Sequence, residues 1–254
     1  MQSKSSPLTI DGIFMVVGLA ILAILFAIIS NAQTWDQKDW KHWTAKDAHQ
    51  VLYSSPWVST CCRNRQAIDD VGADLGFSAS IVSSLAVRQA LLRRMELDKR
   101  YAKMGLAGRQ DFDQRIATCL NQTFDGQIVV SFSFDLTHAP YLRRAPVISD
   151  SIRLATSDGR NVSGRIVNDS IAKKCGWFSK DLNPNPSGFF SDWALYEPNH
   201  ELAFPRFVDG KATIAPDDKE IRIELDYYVS NSASHGGEID FRIDKLIYQG
   251  KPDF

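Results

Sequence analysis

Ile221-Arg222-Ile223-Glu224-Leu225-Asp226-Tyr227 alternates apolar and charged residues without a slip. A period of two sends successive side chains to opposite faces, so this stretch predicts a strand with Ile221, Ile223, Leu225 and Tyr227 buried and one wet face. Two further stretches share the pattern. Val130, Phe132, Phe134 and Leu136 alternate with Ser131, Ser133 and Asp135, and Ile239, Phe241 and Ile243 alternate with Asp240, Arg242 and Asp244. After Asp244 the apolar phase moves to Leu246 and Tyr248, which predicts a bulge. Weaker strands are expected at 151–156, 160–167, 193–197 and 201–207, the last interrupted by Pro205. About seven short strands between Gly126 and Tyr248 predict an antiparallel β-sandwich, with an immunoglobulin-like arrangement as one form of it. The Cys…Trp…Cys spacing of true immunoglobulin domains is absent.

Upstream the period is helical. Thr44 and Asp47 make a capping pair ahead of Ala48, Val51 and Leu52, and Pro56 ends that helix. Val82, Ala86, Ala90, Leu97, Tyr101 and Met104 share one face of a helix predicted over 80–104, stopped by Gly105 and Gly108. Phe112, Ile116 and Leu120 define another over 109–121. The expected class is therefore α+β, with residues 44–121 as a helical segment and 122–254 as the sandwich.

Ahead of both lies an unbroken apolar run that begins at Gly12 and ends at Ile29. As a helix it spans about 27 Å, close to the hydrocarbon core of a bilayer. Two readings stand. One is a retained signal anchor, with Trp35, Trp40 and Trp43 as headgroup rings in a juxtamembrane linker at 33–43. The other is a signal peptide, residues 1–32, cleaved after Ala32 behind Ser30-Asn31-Ala32. Either reading puts the remaining chain outside the cytoplasm, on the membrane or in the periplasm. Lys4 against Lys38 and Lys41 leaves the charge rule for orientation undecided.

Net charge is −1 and charged residues make up 23%. No global field draws this chain to nucleic acid. Cys61, Cys62, Cys119 and Cys175 are candidates for disulfides in an oxidising compartment, and sequence does not choose the pairing. A Cys61–Cys62 bond is disfavoured by the strained ring that adjacent residues need. No cofactor and no metal site is expected. The five histidines form neither H-x-x-x-H nor H-E-x-x-H, and no G-x-S-x-G or P-loop occurs. Asp217-Asp218 lacks the spaced oxygen ligands of an EF-hand loop.

Two surfaces stand out. Arg88, Arg93, Arg94, Lys99, Arg100 and Lys103 make the 80–104 helix basic, suited either to anionic lipid headgroups or an acidic partner, or to a solvated helix whose arginine stems cover apolar surface. Between Cys175 and Trp193, two Asn-Pro steps and Ser187-Gly188 mark a loop that carries Trp177, Phe178, Phe189, Phe190 and Trp193. Those rings are either a binding face or a cap on the core.

Trp43-Thr44-Ala45-Lys46-Asp47-Ala48 followed by Ser55-Pro56-Trp57 resembles a group of uncharacterised exported proteins of acidobacterial type. Val87-Arg88-Gln89-Ala90 with Tyr101-Ala102-Lys103-Met104, then Phe204-Pro205-Arg206-Phe207, then Tyr248-Gln249-Gly250-Lys251 are similar to further blocks of that group. Some of its members are labelled GWxTD domain, and this chain lacks G-W-x-T-D. The resemblance implies export and no activity. The expectation is a non-enzymatic, membrane-anchored or exported envelope protein acting in binding or assembly with an envelope partner. Alternatives are an exported hydrolase or thiol-redox enzyme using Cys62 or a carboxylate pair, and a carbohydrate- or lipid-binding module.

Overall fold

The computed structural model describes residues 35–61, 76–97, 99–122, 124–135, 147–167, 200–215, 217–228 and 234–254. The apolar run that ends at Ile29, Cys62, Leu136, Cys175, Trp177, Phe178, Phe189, Phe190, Trp193 and the strand expected at 193–197 lie outside them, as does the side chain of Cys61. The chain divides into two compact units, Met1–Asp39 and Trp40–Phe254. In the first, residues 35–39 form a turn in which the Lys38 amide donates to the Trp35 carbonyl over 3.2 Å. Among the described residues no helix is long and apolar enough to cross a membrane.

The second unit starts with a 3-10 turn, Trp40–His42, and the helix α1, Ala45–Ser54. The expected capping pair is present. The Asp47 amide donates to Thr44 Oγ1 (3.1 Å), and the Thr44 amide donates to Asp47 Oδ2 (2.8 Å). Such caps contribute about 1 kcal/mol. Trp40 and Trp43 are not headgroup rings. They are 9% and 0% exposed, and Trp43 meets Tyr248 edge-on at 6.3 Å. Trp57 meets the same ring at 6.2 Å, and Tyr248 Oη donates to Gln89 Oε1 over 2.6 Å. Rings buried within the fold are not presented to a headgroup layer.

Residues 44–121 are not wholly helical. They contain two strands, β1 (Val58–Cys61) and β2 (Gly76–Ile81), before the helices α2 (Leu85–Leu97), α3 (Lys99–Lys103) and α4 (Leu106–Leu120). Phe77, Ala79 and Ile81 are buried, while Ser78 and Ser80 on the other face are half-buried. That short period-two pattern overlaps the start predicted for the 80–104 helix, which begins instead at Leu85. Gly108 lies inside α4, and Gly105 is its N-cap.

The strands that follow are β3 (Gln127–Asp135), β4 (Val147–Thr156), β5 (Asn161–Ser163), β6 (Arg165–Ile166), β7 (His200–Pro205), β8 (Phe207–Val208), β9 (Lys211–Ala212), β10 (Glu220–Tyr228), β11 (Ser234–Arg242), β12 (Ile247–Tyr248) and β13 (Lys251–Pro252). All pair antiparallel. One sheet has the order β1-β2-β3-β7-β6 and another β11-β10-β4-β5, with β8-β9 and β12-β13 as separate hairpins. The fold is α+β with antiparallel sheets. β10 buries Ile221, Ile223, Leu225 and Tyr227, as its alternation requires. Each such side chain contributes about 1.5–3 kcal/mol. The slip after Asp244 is a 3-10 turn, Ile243–Lys245, not a bulge; it buries Ile243, Leu246 and Tyr248.

The apolar faces of the two large sheets meet. The Phe77 ring of β2 lies 4.9 Å from Phe132 and 6.3 Å, edge-on, from Tyr227 of β10. Gly237 of β11 leaves room for it, since a Cβ there would come within 2.9 Å of Phe77 Cζ. Between β5 and β6 the chain crosses from one sheet to the other. Ser163 pairs with Arg153 of β4, and Arg165 with Ala203 of β7. At the crossing, a Cβ on Gly164 would lie 2.5 Å from Phe204 Cε1 and 2.9 Å from Ile152 Cγ2.

Candidate functional site

Alternation in the larger sheet builds an open corner. Gln127 pairs with Pro205 and Arg165 with Ala203, so these four side chains share one face. Ile128, Leu202 and Phe204 point to the other face and are fully buried. Farther along the first face Val129 and Ala203 are buried, but the end at Gln127 and Pro205 is open. The result is a groove of about 540 Å³ lined by Gly126, Gln127, Ser163, Gly164, Arg165, Ala203, Pro205 and Phe207. That volume falls in the range of small-ligand sites.

The hairpin β8-β9 forms one wall. Asp209 and Gly210 turn it with φ of 50° and 75°, the left-handed pair that a two-residue hairpin needs. The Arg206 amide donates to the Gly126 carbonyl (2.7 Å), and Thr213 Oγ1 donates to the Pro205 carbonyl (2.6 Å). Arg160 holds the hairpin from behind. Its Nη1 donates to the carbonyls of Ala212 (2.8 Å) and Thr213 (3.1 Å), while its Nη2 binds both carboxylate oxygens of Asp218. Asp218 also accepts from the Ala215 amide over 2.7 Å. The Asp217-Asp218 segment is therefore an arginine clamp. Phe207, held on this frame, is 60% exposed.

One cation faces the groove unengaged. Arg165 is exposed, and its side chain makes no hydrogen bond, ion pair or ring contact among the described residues. The other described arginine side chains have partners, Arg153 excepted. Arg206, next to the wall residues, turns away and sits over the Phe254 ring at 5.9 Å. Burial lowers the Arg206 pKa, with Asp253 opposing the shift. Among the described residues the lining holds no carboxylate, histidine or cysteine. It offers a guanidinium, an amide, a hydroxyl and an aromatic ring, which is chemistry for recognition.

Three of the six basic residues expected on this surface, Arg88, Arg93 and Arg94, are engaged by the fold. Arg88 is 7% exposed and is spent on the C-terminus of α4: its Nη1 donates to the carbonyls of Cys119 (3.0 Å) and Leu120 (2.7 Å), with the guanidinium 4.9 Å over Phe124. Burial lowers its pKa, and Asp253 opposes that. Arg94, 8% exposed, donates to Tyr53 Oη over 3.3 Å. Arg93 donates to the Trp43 carbonyl (2.8 Å) and to Glu96 (3.0 Å). These three stems cover the core, whereas Lys103 is exposed and the side chains of Lys99 and Arg100 lie outside the described residues.

Cys119 is 2% exposed and disulfide-bonded. Its partner is one of Cys61, Cys62 and Cys175, whose side chains lie outside the described residues. The strand carboxylates do not form an acid–base pair. Asp240 pairs with Arg222 (2.7 Å), and Asp244 with Arg242 (3.0 Å). Among the described residues no group of three or more metal-capable side chains converges. The aromatic residues of the 175–193 segment lie outside the description.

The groove was not singled out from sequence. Its signals were scattered: Arg165 within a weak strand, Gly126 at a boundary, and Pro205 and Phe207 within the Phe204-Pro205-Arg206-Phe207 block. Only the register of β3, β7 and β6 unites them. Comparison with protein-family models, curated proteins and solved structures finds no match.

Proposed function

We propose that this chain is a non-enzymatic, exported and membrane-anchored envelope protein that binds its ligand in the groove between β3, β7 and β6. One observation carries the reading: an open groove in which Arg165 and Phe207 stand exposed while the fold engages nearly every other described arginine. Two features support the location. The apolar run ending at Ile29 is long enough to anchor the chain. A disulfide at Cys119 suits an oxidising compartment. The two large sheets are read as the halves of an immunoglobulin-like sandwich, supported by the Phe77–Tyr227 contact between them.

Two experiments test the parts separately. An alkaline phosphatase fusion at Phe254 is expected to be active, and an inactive fusion beside an active cytoplasmic reporter refutes export. For the groove, Ser163→Trp places an indole in the site from an exposed position. A thermal-shift panel of glycans, peptides and lipids on the full chain in nanodiscs is expected to yield a stabilising ligand whose effect Ser163→Trp abolishes. A panel whose every hit survives Ser163→Trp refutes the groove, and so does a panel with no hit.

A further inference from the structure

We infer that the groove takes an acidic carbohydrate, with a uronate carboxylate on Arg165 and the sugar's C–H face on Phe207. This inference rests on the groove reading above and adds the ligand class.

Charge comes first. Among the described residues Arg165 is the one ionisable residue of the lining, and its side chain has no partner among them. A planar guanidinium pairs best with a carboxylate, in a two-point hydrogen-bonded geometry. An anionic group on the ligand therefore meets a cation that carries no competing side-chain bond among the described residues.

The remaining lining selects the body of the ligand. Phe207 presents an exposed ring, and the weakly positive C–H face of a pyranose suits the negative face of that ring. Gln127 supplies a carbonyl oxygen and an NH2 group, and Ser163 a hydroxyl; together they match sugar hydroxyls in both donor and acceptor roles. An extended peptide fits less well. Of the floor strands, β3 and β7 are paired on both sides and only the two-residue β6 has an open edge, so a peptide has a very short ladder to join. A lipid tail fits less well again, because among the described residues the apolar lining is limited to Ala203, Pro205 and Phe207 beside two glycines.

The test is isothermal titration calorimetry on the full chain in nanodiscs, with trigalacturonate, its methyl ester and neutral galactotriose as probes. Trigalacturonate is expected to bind, and the two uncharged probes at least tenfold more weakly. Arg165→Gln and Phe207→Ala should each weaken trigalacturonate tenfold or more. Arg115→Gln, which removes an exposed arginine of α4 outside the groove lining, should leave it unchanged. Unaltered melting temperatures in these exposed-site variants show that folding is intact. Equal binding of the neutral probe overturns the charge argument. Binding that Arg165→Gln leaves untouched overturns the site. If trigalacturonate does not bind while another ligand is blocked by Ser163→Trp, this inference falls and the groove reading stands. If nothing is blocked by Ser163→Trp, both fall.

Discussion

Ser84 Oγ donates a 2.7 Å hydrogen bond to Asp253 Oδ2, so a residue next to the C-terminus caps a helix that begins far earlier in the chain. The amides of Leu85 (2.7 Å) and Ala86 (3.0 Å) donate to the same carboxylate, and Trp57 Nε1 donates to the Asp253 carbonyl over 2.6 Å. One residue thereby satisfies the free amides at the start of α2 and ties β13 to the aromatic cluster of Trp43, Trp57 and Tyr248. A negative charge at a helix N-terminus is favourable in its own right.

Asp253→Ala removes that cap and leaves buried amides unsatisfied. The expected loss is about 1–2 kcal/mol, read as a lower urea midpoint at constant slope. An unchanged midpoint would show that the contact is not a cap.

Arg88→Leu strips the C-terminus of α4 of its donor. Losing hydrogen bonds to a charged group costs about 1.5–3 kcal/mol, so the melting temperature should fall clearly. Affinity for anionic vesicles should not change. A variant of unaltered stability that lost vesicle binding would restore the basic-surface reading.

Gly164→Ala places a methyl against Phe204 and Ile152 at the crossing between sheets. Overpacking of this kind costs about 1–3 kcal/mol. Equal stability of variant and parent in chemical denaturation would mean that the strand shifts freely and the corner is not tightly packed.

Cys119 should resist alkylation until the protein is reduced. Cys119→Ser should cost roughly the typical disulfide contribution, about 2–4 kcal/mol. Non-reducing peptide mapping reads the pairing directly, and four free thiols in envelope-purified protein would refute it.

Asp244 and Asp158 have carboxyl pKa values below the ordinary value. For Asp244 the first cause is the hydrogen bond from Arg242; for Asp158 it is the bond from Thr156, followed by Arg160. A depressed folded value gives stabilisation that is present above the unfolded value and is lost as pH falls through the folded one. Carboxyl NMR titration should place both midpoints below about 3.9. A midpoint at or above that value would mean that the arginine contacts do not persist in solution.

Elements with a long, uninterrupted period were legible in the sequence. The alternation at 221–227 gave β10 and its buried face, and Thr44 with Asp47 gave the start of α1. Short strands built from small residues were not legible. Ser78, Ala79 and Ser80 carry little hydrophobic contrast, and the sheet enforces their pairing. Trp40 and Trp43 misled because a ring suited to a headgroup layer is equally suited to a core, and local sequence does not distinguish the two. Arg88 misled in a related way: its partners are the Cys119 and Leu120 carbonyls, which no side-chain pattern announces. The groove escaped for a third reason. Gln127, Ser163, Arg165 and Phe207 come from four segments, and only strand register makes them neighbours.

Backbone amide chemical-shift mapping of the full chain in nanodiscs with trigalacturonate is the most direct test of the groove as the binding site. The predicted result is saturable shifts at Gly126, Ser163, Gly164 and Phe207 that disappear in Arg165→Gln. Shifts confined to α2 or to the outer face of β10, or no shift at any described residue, would contradict it.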